Sequence, residues 1–149
     1  MNHSLTECLE HHHRECDDLF ATLEDAVSKA DWARARLNFA LFRDQLEAHF
    51  RAEEEVLFPH FESVTGMTDG PTSVMRAEHE SMRTVLARMA DALENEDEAE
   101  FAGESETLFV LMQQHNMKEE GVLYPMCDRR LANQAETLGA RIKQVIEET

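Results

Sequence analysis

The feature that most constrains the fold is a segment that occurs twice. Residues 49–59 and 115–125 both read His-x-x-x-Glu-Glu-x-Val-Leu-aromatic-Pro, and the second copy begins 66 positions after the first. Each copy carries a histidine and a glutamate four residues apart, which places both side chains on one face of an α-helix, one turn apart. A chain with such a repeat is expected to consist of two similar helical halves.

Helical apolar periodicity runs through the rest of the chain, interrupted by only five glycines and three prolines. Apolar residues recur every three or four positions, which is the spacing of an amphipathic helix. Short connections between long helices favour antiparallel neighbours. We therefore expect one all-α domain over residues 1–149, an up-down-up-down antiparallel four-helix bundle with a short C-terminal tail helix. The predicted helices span about 4–29, 31–62, 71–94, 98–128 and 133–147.

The repeated histidine–glutamate pairs are predicted to face the core of the bundle. An ionised glutamate buried without a partner costs several kcal/mol or takes up a proton, and two such groups in one layer repel each other. A bound cation removes that cost, so the pattern predicts a metal site. The apolar residues that share the faces of these pairs are Phe42, Leu46, Val56 and Leu57 in the first copy and Leu108, Leu111, Met112, Val122 and Leu123 in the second.

The first and third helices are each predicted to add one histidine to this layer. His79 is the candidate on the third helix, whereas the first helix offers three adjacent histidines, His11, His12 and His13. We favour His12 because leucines and cysteines recur along its face, whereas Asp17 follows His13 one turn later. His13 is the alternative. His12 and His79 are 67 positions apart, close to the spacing of the repeated segments.

This donor set points to two metal ions. Four imidazoles and two carboxylates are too many for one tetrahedral zinc ion but suit two octahedral ions that share the carboxylates. Imidazole-rich ligation favours iron over manganese, and zinc is also less favoured. The predicted metal ligands are His12, His49, Glu53, His79, His115 and Glu119.

The two repeated segments, with Glu78-His79-Glu80 between them, resemble the hemerythrin-like family of histidine- and glutamate-containing cation-binding domains. The resemblance covers nearly the whole chain. It implies that the four histidines are terminal ligands of two non-haem iron ions. It also implies that Glu53 and Glu119 bridge the two ions beside an oxo or hydroxo group.

One difference from the oxygen-carrying hemerythrins bears on function. Those proteins are expected to have a second histidine in the third helix, where this chain has Arg83. The symmetric ligand pattern is more similar to the di-iron domain of proteins linked to the repair of iron–sulfur clusters. The resemblance therefore implies a protein that binds or senses dioxygen, nitric oxide or peroxide. The alternative is a redox enzyme or repair protein that reduces nitric oxide or peroxide or donates iron to iron–sulfur clusters.

Three further residues beside the predicted ligands have two interpretations each. Glu54 and Glu120 repeat the motif about 100° round the helix from the ligands, where they could bond to imidazoles or form a solvated face. Tyr124 could donate a hydrogen bond near the site, but packing at the helix end is the favoured interpretation.

The composition excludes several classes of partner. The net charge is −17, which opposes binding to nucleic acid and to anionic membranes. No apolar run is long enough to cross a bilayer, and no signal peptide is evident at the N-terminus. Three cysteines, an odd number, without a Cys-x-x-Cys pair indicate reduced thiols. A small-molecule ligand and a cytoplasmic location are expected, and no protein partner is indicated.

Overall fold

Five α-helices make up the part of the chain that the structure describes, residues 4–148 of a computed structural model. No β-strand occurs in this range, and the prediction of an all-α bundle with a short C-terminal helix is confirmed. A short 3₁₀ turn, Ala132–Gln134, precedes the last helix. The helices are α1 (Leu5–Ser28), α2 (32–65), α3 (Pro71–Glu94), α4 (98–130) and α5 (Ala135–Glu147).

α2 and α4 each contain one π-helical turn at corresponding positions. The turns span Glu53–Leu57 and Glu119–Leu123, and each follows a long α-helical stretch. The next residue, Phe58 or Tyr124, donates its backbone N–H to the carbonyl five positions back. A proline comes directly afterwards in both copies, and it has no N–H to donate. Because the π turn already interrupts the α-helical hydrogen-bond ladder there, both helices continue beyond the proline.

The two halves of the chain also share their turns. Asp31 and Asp97 lie 66 positions apart, and each caps the helix that it precedes by accepting a backbone N–H three residues on. The residues before them, Ala30 and Glu96, adopt positive φ angles of 53° and 51°. The repeat thus includes the tight turns that reverse the chain between α1 and α2 and between α3 and α4.

Neighbouring helices run antiparallel, since hydrogen bonds join the beginning of one helix to the end of the next. Two such contacts join α2 with α3 and two join α1 with α4, while tight turns reverse the chain between α1 and α2 and between α3 and α4. The contacts are Thr72 Oγ1 with Glu62 at 2.6 Å, Arg36 with Glu96 at 2.7 Å, Leu5 N with Asp128 at 2.8 Å, and Ser105 Oγ with Glu24 at 3.0 Å.

The core consists of two apolar clusters with a polar layer between them along the helices. The larger cluster includes Phe42 and Leu86, and the smaller includes Leu57 and Leu138 of α5. Among residues 4–148 no helix is long and apolar enough to cross a membrane. The buried polar layer contains His12, His13, His49, Glu53, His79, His115 and Glu119.

We predict that the larger cluster contributes much of the stability. Phe42→Ala removes a fully buried ring and should lower the free energy of unfolding by about 3–5 kcal/mol, because the cavity can only partly collapse. Urea unfolding measures the change. Leu37→Ala, at a side chain that is 62% exposed on the same helix, should change stability by less than about 0.5 kcal/mol. Equal effects of the two substitutions would contradict this assignment of the core.

Candidate metal centre

Two groups of donor atoms meet in the polar layer and share one glutamate. The first group, here the His79 group, consists of Glu53, His79, His115 and Glu119. The second, the His13 group, consists of His13, His49 and Glu119. Within each group the donor atoms lie within 4.8 Å of one another, and every member is buried. The four long helices all contribute, so the site exists only in the assembled bundle.

The two carboxylates lie between imidazoles of both groups. Glu53 points Oε1 at His79 Nε2, 3.1 Å away, and Oε2 at His49 Nε2, 3.6 Å away. Glu119 Oε1 lies 3.2 Å from Nε2 of both His13 and His115. Each carboxylate therefore lies between two imidazoles that could share a cation with it.

Several of these atoms are fully buried and make no hydrogen bond of acceptable geometry, although Glu53 Oε1 lies only 3.1 Å from His79 Nε2. Five side-chain polar atoms in the described range are of this kind, and four belong to the centre. Leaving such atoms unsatisfied costs about 1–3 kcal/mol each. Inward-facing nitrogens and carboxylate oxygens are the donors that a transition-metal ion binds, so these residues fit a bound cation. The four atoms are Glu53 Oε1, His79 Nε2, His115 Nε2 and Glu119 Oε2.

A comparison with protein families agrees with this geometry. The model of the hemerythrin HHE cation-binding domain matches residues 4–127, which is well over half of the chain. This chain belongs to the hemerythrin HHE family. No individual curated protein and no solved structure shows significant similarity to it.

Outer carboxylates orient two of the histidines in this hemerythrin HHE domain. His13 Nδ1 lies 2.6 Å from Glu120 Oε2, and His79 Nδ1 lies 2.7 Å from Glu54 Oε2. A carboxylate can only accept, so in the neutral ring each Nδ1 carries the proton and each Nε2 presents a lone pair to the centre. Glu54 and Glu120 therefore bond to imidazoles, which is one of the two interpretations that the sequence left open.

A third carboxylate, Glu78, does the same for His115 but was not evident from the sequence. Its Oε1 lies 2.7 Å from His115 Nδ1, and its other oxygen accepts from Lys118. Glu78 is on α3 and His115 on α4, so no local spacing relates them. The contact arises only when the helices pack.

The structure differs from the sequence expectation on α1, where His13 rather than His12 belongs to a donor group. Both side chains are 4% exposed, because neighbouring residues on a helix are only about 100° apart and both can face inward. Apolar periodicity could not separate them. The repeat could have done so, since His13 is 66 positions before His79, which is the spacing of the duplicated segments.

His12 has a supporting position instead. Its Nε2 lies 3.0 Å from Gln45 Oε1, an acceptor, so Nε2 carries the proton in the neutral ring. Its Nδ1 is then free to accept from His49 Nδ1, 2.8 Å away, which leaves the lone pair of His49 on Nε2, facing the centre. His12 thus accepts a hydrogen bond from Nδ1 of His49, as a carboxylate does from Nδ1 of each of the other three histidines.

Arg83, at the position where an oxygen carrier is expected to have a ligand, binds the outer carboxylates. Its guanidinium bonds to both oxygens of Glu54 at 3.0 Å and to Glu47 at 2.7 Å. Glu54 in turn accepts from His79. Burial opposes ionisation of Glu54, but hydrogen bonds from His79 and Arg83 outweigh it and lower the pKa to about 2. Arg83 therefore keeps the partner of His79 ionised.

Tyr124 donates to the central carboxylates, whereas the sequence favoured packing at the helix end over a hydrogen bond near the site. It is fully buried, and its hydroxyl lies 2.6 Å from Glu53 Oε2 and 2.8 Å from Glu119 Oε1. In a regular α-helix a residue five positions after Glu119 would point roughly 140° away from it. The π turn between them reduces that angle and brings the phenol into the site. Pro125 directly after an aromatic residue was the available signal, but it does not reveal a π turn.

Without a cation, protons compensate the two central carboxylates. Burial opposes a charge on His13, but hydrogen bonds to Glu119 and Glu120 outweigh it and raise the pKa to about 10. Burial is likewise outweighed at His79, where Glu53 and Glu54 raise the pKa to about 9. A metal ion must displace these protons, so it binds less tightly as the pH falls.

Substitutions in the histidine triplet test which side chain is the ligand. We predict that His13→Ala lowers the metal content per chain, because it removes a donor from one group. His12→Ala should retain the metal with affinity weakened about 10–100-fold, as for other partners of ligating histidines. His11→Ala, at an exposed position, is the matched control and should have no effect. Metal analysis after dialysis measures the content. Loss of an ion in the His12 variant alone would contradict this assignment.

The metal-free protein should lose stability as the pH rises. The pKa values of His13 and His79 are about 10 and 9 in the folded protein, against an ordinary value of 6.5, so the folded state binds more protons between these limits. Their stabilisation is complete below about pH 6.5 and is lost as the pH rises through about 9 to 10. Urea unfolding with a chelator at pH 7, 8 and 9 measures the trend, and His13→Gln should flatten it. Increasing stability over that range would contradict the prediction.

Proposed function

We propose that this domain holds two iron ions and uses them to bind or sense a small molecule such as dioxygen, nitric oxide or peroxide. The observation that carries the proposal is the pair of donor groups joined by Glu119, with unsatisfied buried atoms facing inward. Four imidazoles and two carboxylates exceed the needs of one tetrahedral zinc ion and suit two octahedral ions. Imidazole ligands favour iron over manganese.

Bridging carboxylates leave coordination positions for a ligand. If Glu53 and Glu119 each contribute one oxygen to each ion, an ion receives two imidazoles and two oxygens from these residues. An octahedral ion has about six positions, so some remain for a small molecule. Bound iron would supply an open coordination position and a one-electron redox change there.

Burial and the apolar wall restrict what can reach these positions. The central glutamates and His79 are 0% exposed, so a large substrate has no access to them. The ring of Phe50 stacks on that of His79 with centroids 4.1 Å apart, and Phe58 lies on the same imidazole at 5.8 Å. A small ligand of little charge suits this environment. All three cysteines are free, which agrees with a reducing compartment such as the cytoplasm.

Anaerobic reconstitution with ferrous iron tests the proposal. We expect about two iron ions per chain and a Mössbauer spectrum of a magnetically coupled pair. Adding nitric oxide, dioxygen or peroxide separately should change the visible spectrum for at least one of them. Glu53→Ala should abolish the coupled pair, because it removes a shared carboxylate. Glu55→Ala, an exposed glutamate in the same π turn, is the matched control and should behave like the wild type.

The outcomes separate binding from catalysis. A spectral change that reverses when the gas is removed supports a binding or sensing role. Multiple turnovers of peroxide or nitric oxide with an added reductant would make the protein a redox enzyme instead. Wild-type protein that retains no iron pair after reconstitution would refute the di-iron proposal.

A further inference from the structure

The hydroxyl of Tyr124 lies among four atoms that could bind a cation. Besides Glu53 Oε2 at 2.6 Å and Glu119 Oε1 at 2.8 Å, it lies 3.2 Å from Nε2 of both His13 and His49. The tyrosine is fully buried, so no solvent competes at this point. Five potential donor atoms from α1, α2 and α4 therefore converge on one small region.

When the two histidines are neutral, the atoms around the Tyr124 hydroxyl cannot all form hydrogen bonds. His13 Nδ1 bonds to Glu120, and His49 Nδ1 bonds to His12, so both Nε2 atoms present lone pairs. Both carboxylate oxygens are acceptors as well. The phenol has one proton and can satisfy one of these four acceptors. A cation among the five atoms satisfies all of them at once.

The distances between these potential donor atoms also match the distances between adjacent ligands of a metal ion. With metal–ligand bonds of about 2.1 Å, adjacent ligands of an octahedral ion are about 3 Å apart. The contacts of Tyr124 Oη range from 2.6 Å to 3.2 Å. His13 Nε2 is 3.2 Å from Glu119 Oε1, and His49 Nε2 is 3.6 Å from Glu53 Oε2. We propose that Tyr124 is a direct ligand of the ion held by the His13 group, bound as a phenolate whose hydroxyl proton is released to solvent when the ion binds, an inference that rests on the proposed iron centre.

The repeat makes this ligand unique to one ion. Phe58 is the counterpart of Tyr124, 66 positions earlier, directly before the other proline. The two rings pack alike, since Tyr124 stacks on His13 at 5.7 Å and Phe58 stacks on His79 at 5.8 Å. Phe58 has no oxygen to offer. If both central carboxylates contribute to both ions, the ion of the His79 group has one protein ligand fewer and offers the more open position to a small molecule.

Resonance Raman spectroscopy of the ferric, iron-loaded protein tests the proposal. A phenolate bound to ferric iron gives a visible charge-transfer band, and excitation in that band enhances the ring vibrations of the phenolate. Tyr124 is the only tyrosine in the chain, so any such vibration belongs to it, and ring-deuterated tyrosine should shift it. Tyr124→Phe should abolish the band and its vibrations while about two iron ions per chain remain.

A Tyr124→Phe variant that keeps its iron and its melting temperature excludes misfolding as the cause of the lost charge-transfer band. Wild-type protein with a coupled iron pair but no phenolate vibrations would overturn the tyrosine ligand and leave the proposed di-iron function intact. Wild-type protein without an iron pair would overturn both. A double variant, Tyr124→Phe with Phe58→Tyr, should restore a phenolate signal at the other ion, and failure to do so in an iron-loaded variant would contradict the equivalence of the two positions.

Discussion

The structure depends on two carboxylates, Glu53 and Glu119, that are buried completely in the middle of a helical bundle. Taking two anions out of water costs several kcal/mol each, and their mutual repulsion adds to that cost. Partners must therefore surround them in a definite geometry. The hydroxyl of Tyr124 is the nearest partner of both carboxylates. Burial opposes ionisation of Glu53, but His49 and the other groups around it hold its pKa well below the usual range. The rest of the polar layer follows from this requirement.

The buried charges are compensated by a series of hydrogen bonds and ion pairs that extends from the centre to the solvent. Glu54 accepts from His79, Arg83 holds Glu54, and Arg83 also contacts Glu80, whose side chain is 72% exposed. The apolar clusters on either side hold the helices that carry these groups. Rigid packing around a polar layer keeps the donor atoms in place before any ion binds, which is the usual requirement for a tight metal site.

The internal repeat makes the two halves alike, and a few substitutions make them differ. Glu78 supports His115, whereas the residue 66 positions earlier is His12, which supports His49 as a neutral ring. Tyr124 reaches the centre, whereas Phe58 does not offer an oxygen. A symmetric fold thus presents two chemically different environments, because partners of different charge and polarity occupy equivalent positions.

The sequence by itself determined the helical class and five donors that the structure brings together, because duplication and apolar periodicity are local properties of the chain. His49 and Glu53 belong to one face of one helix whatever packs against it. Tertiary structure alone distinguishes His12 from His13, since both face inward and only the packing of the neighbouring helices brings His13 into a donor group. It also placed Tyr124 in the site, because a π turn changes the direction of a side chain without any distinctive residue pattern.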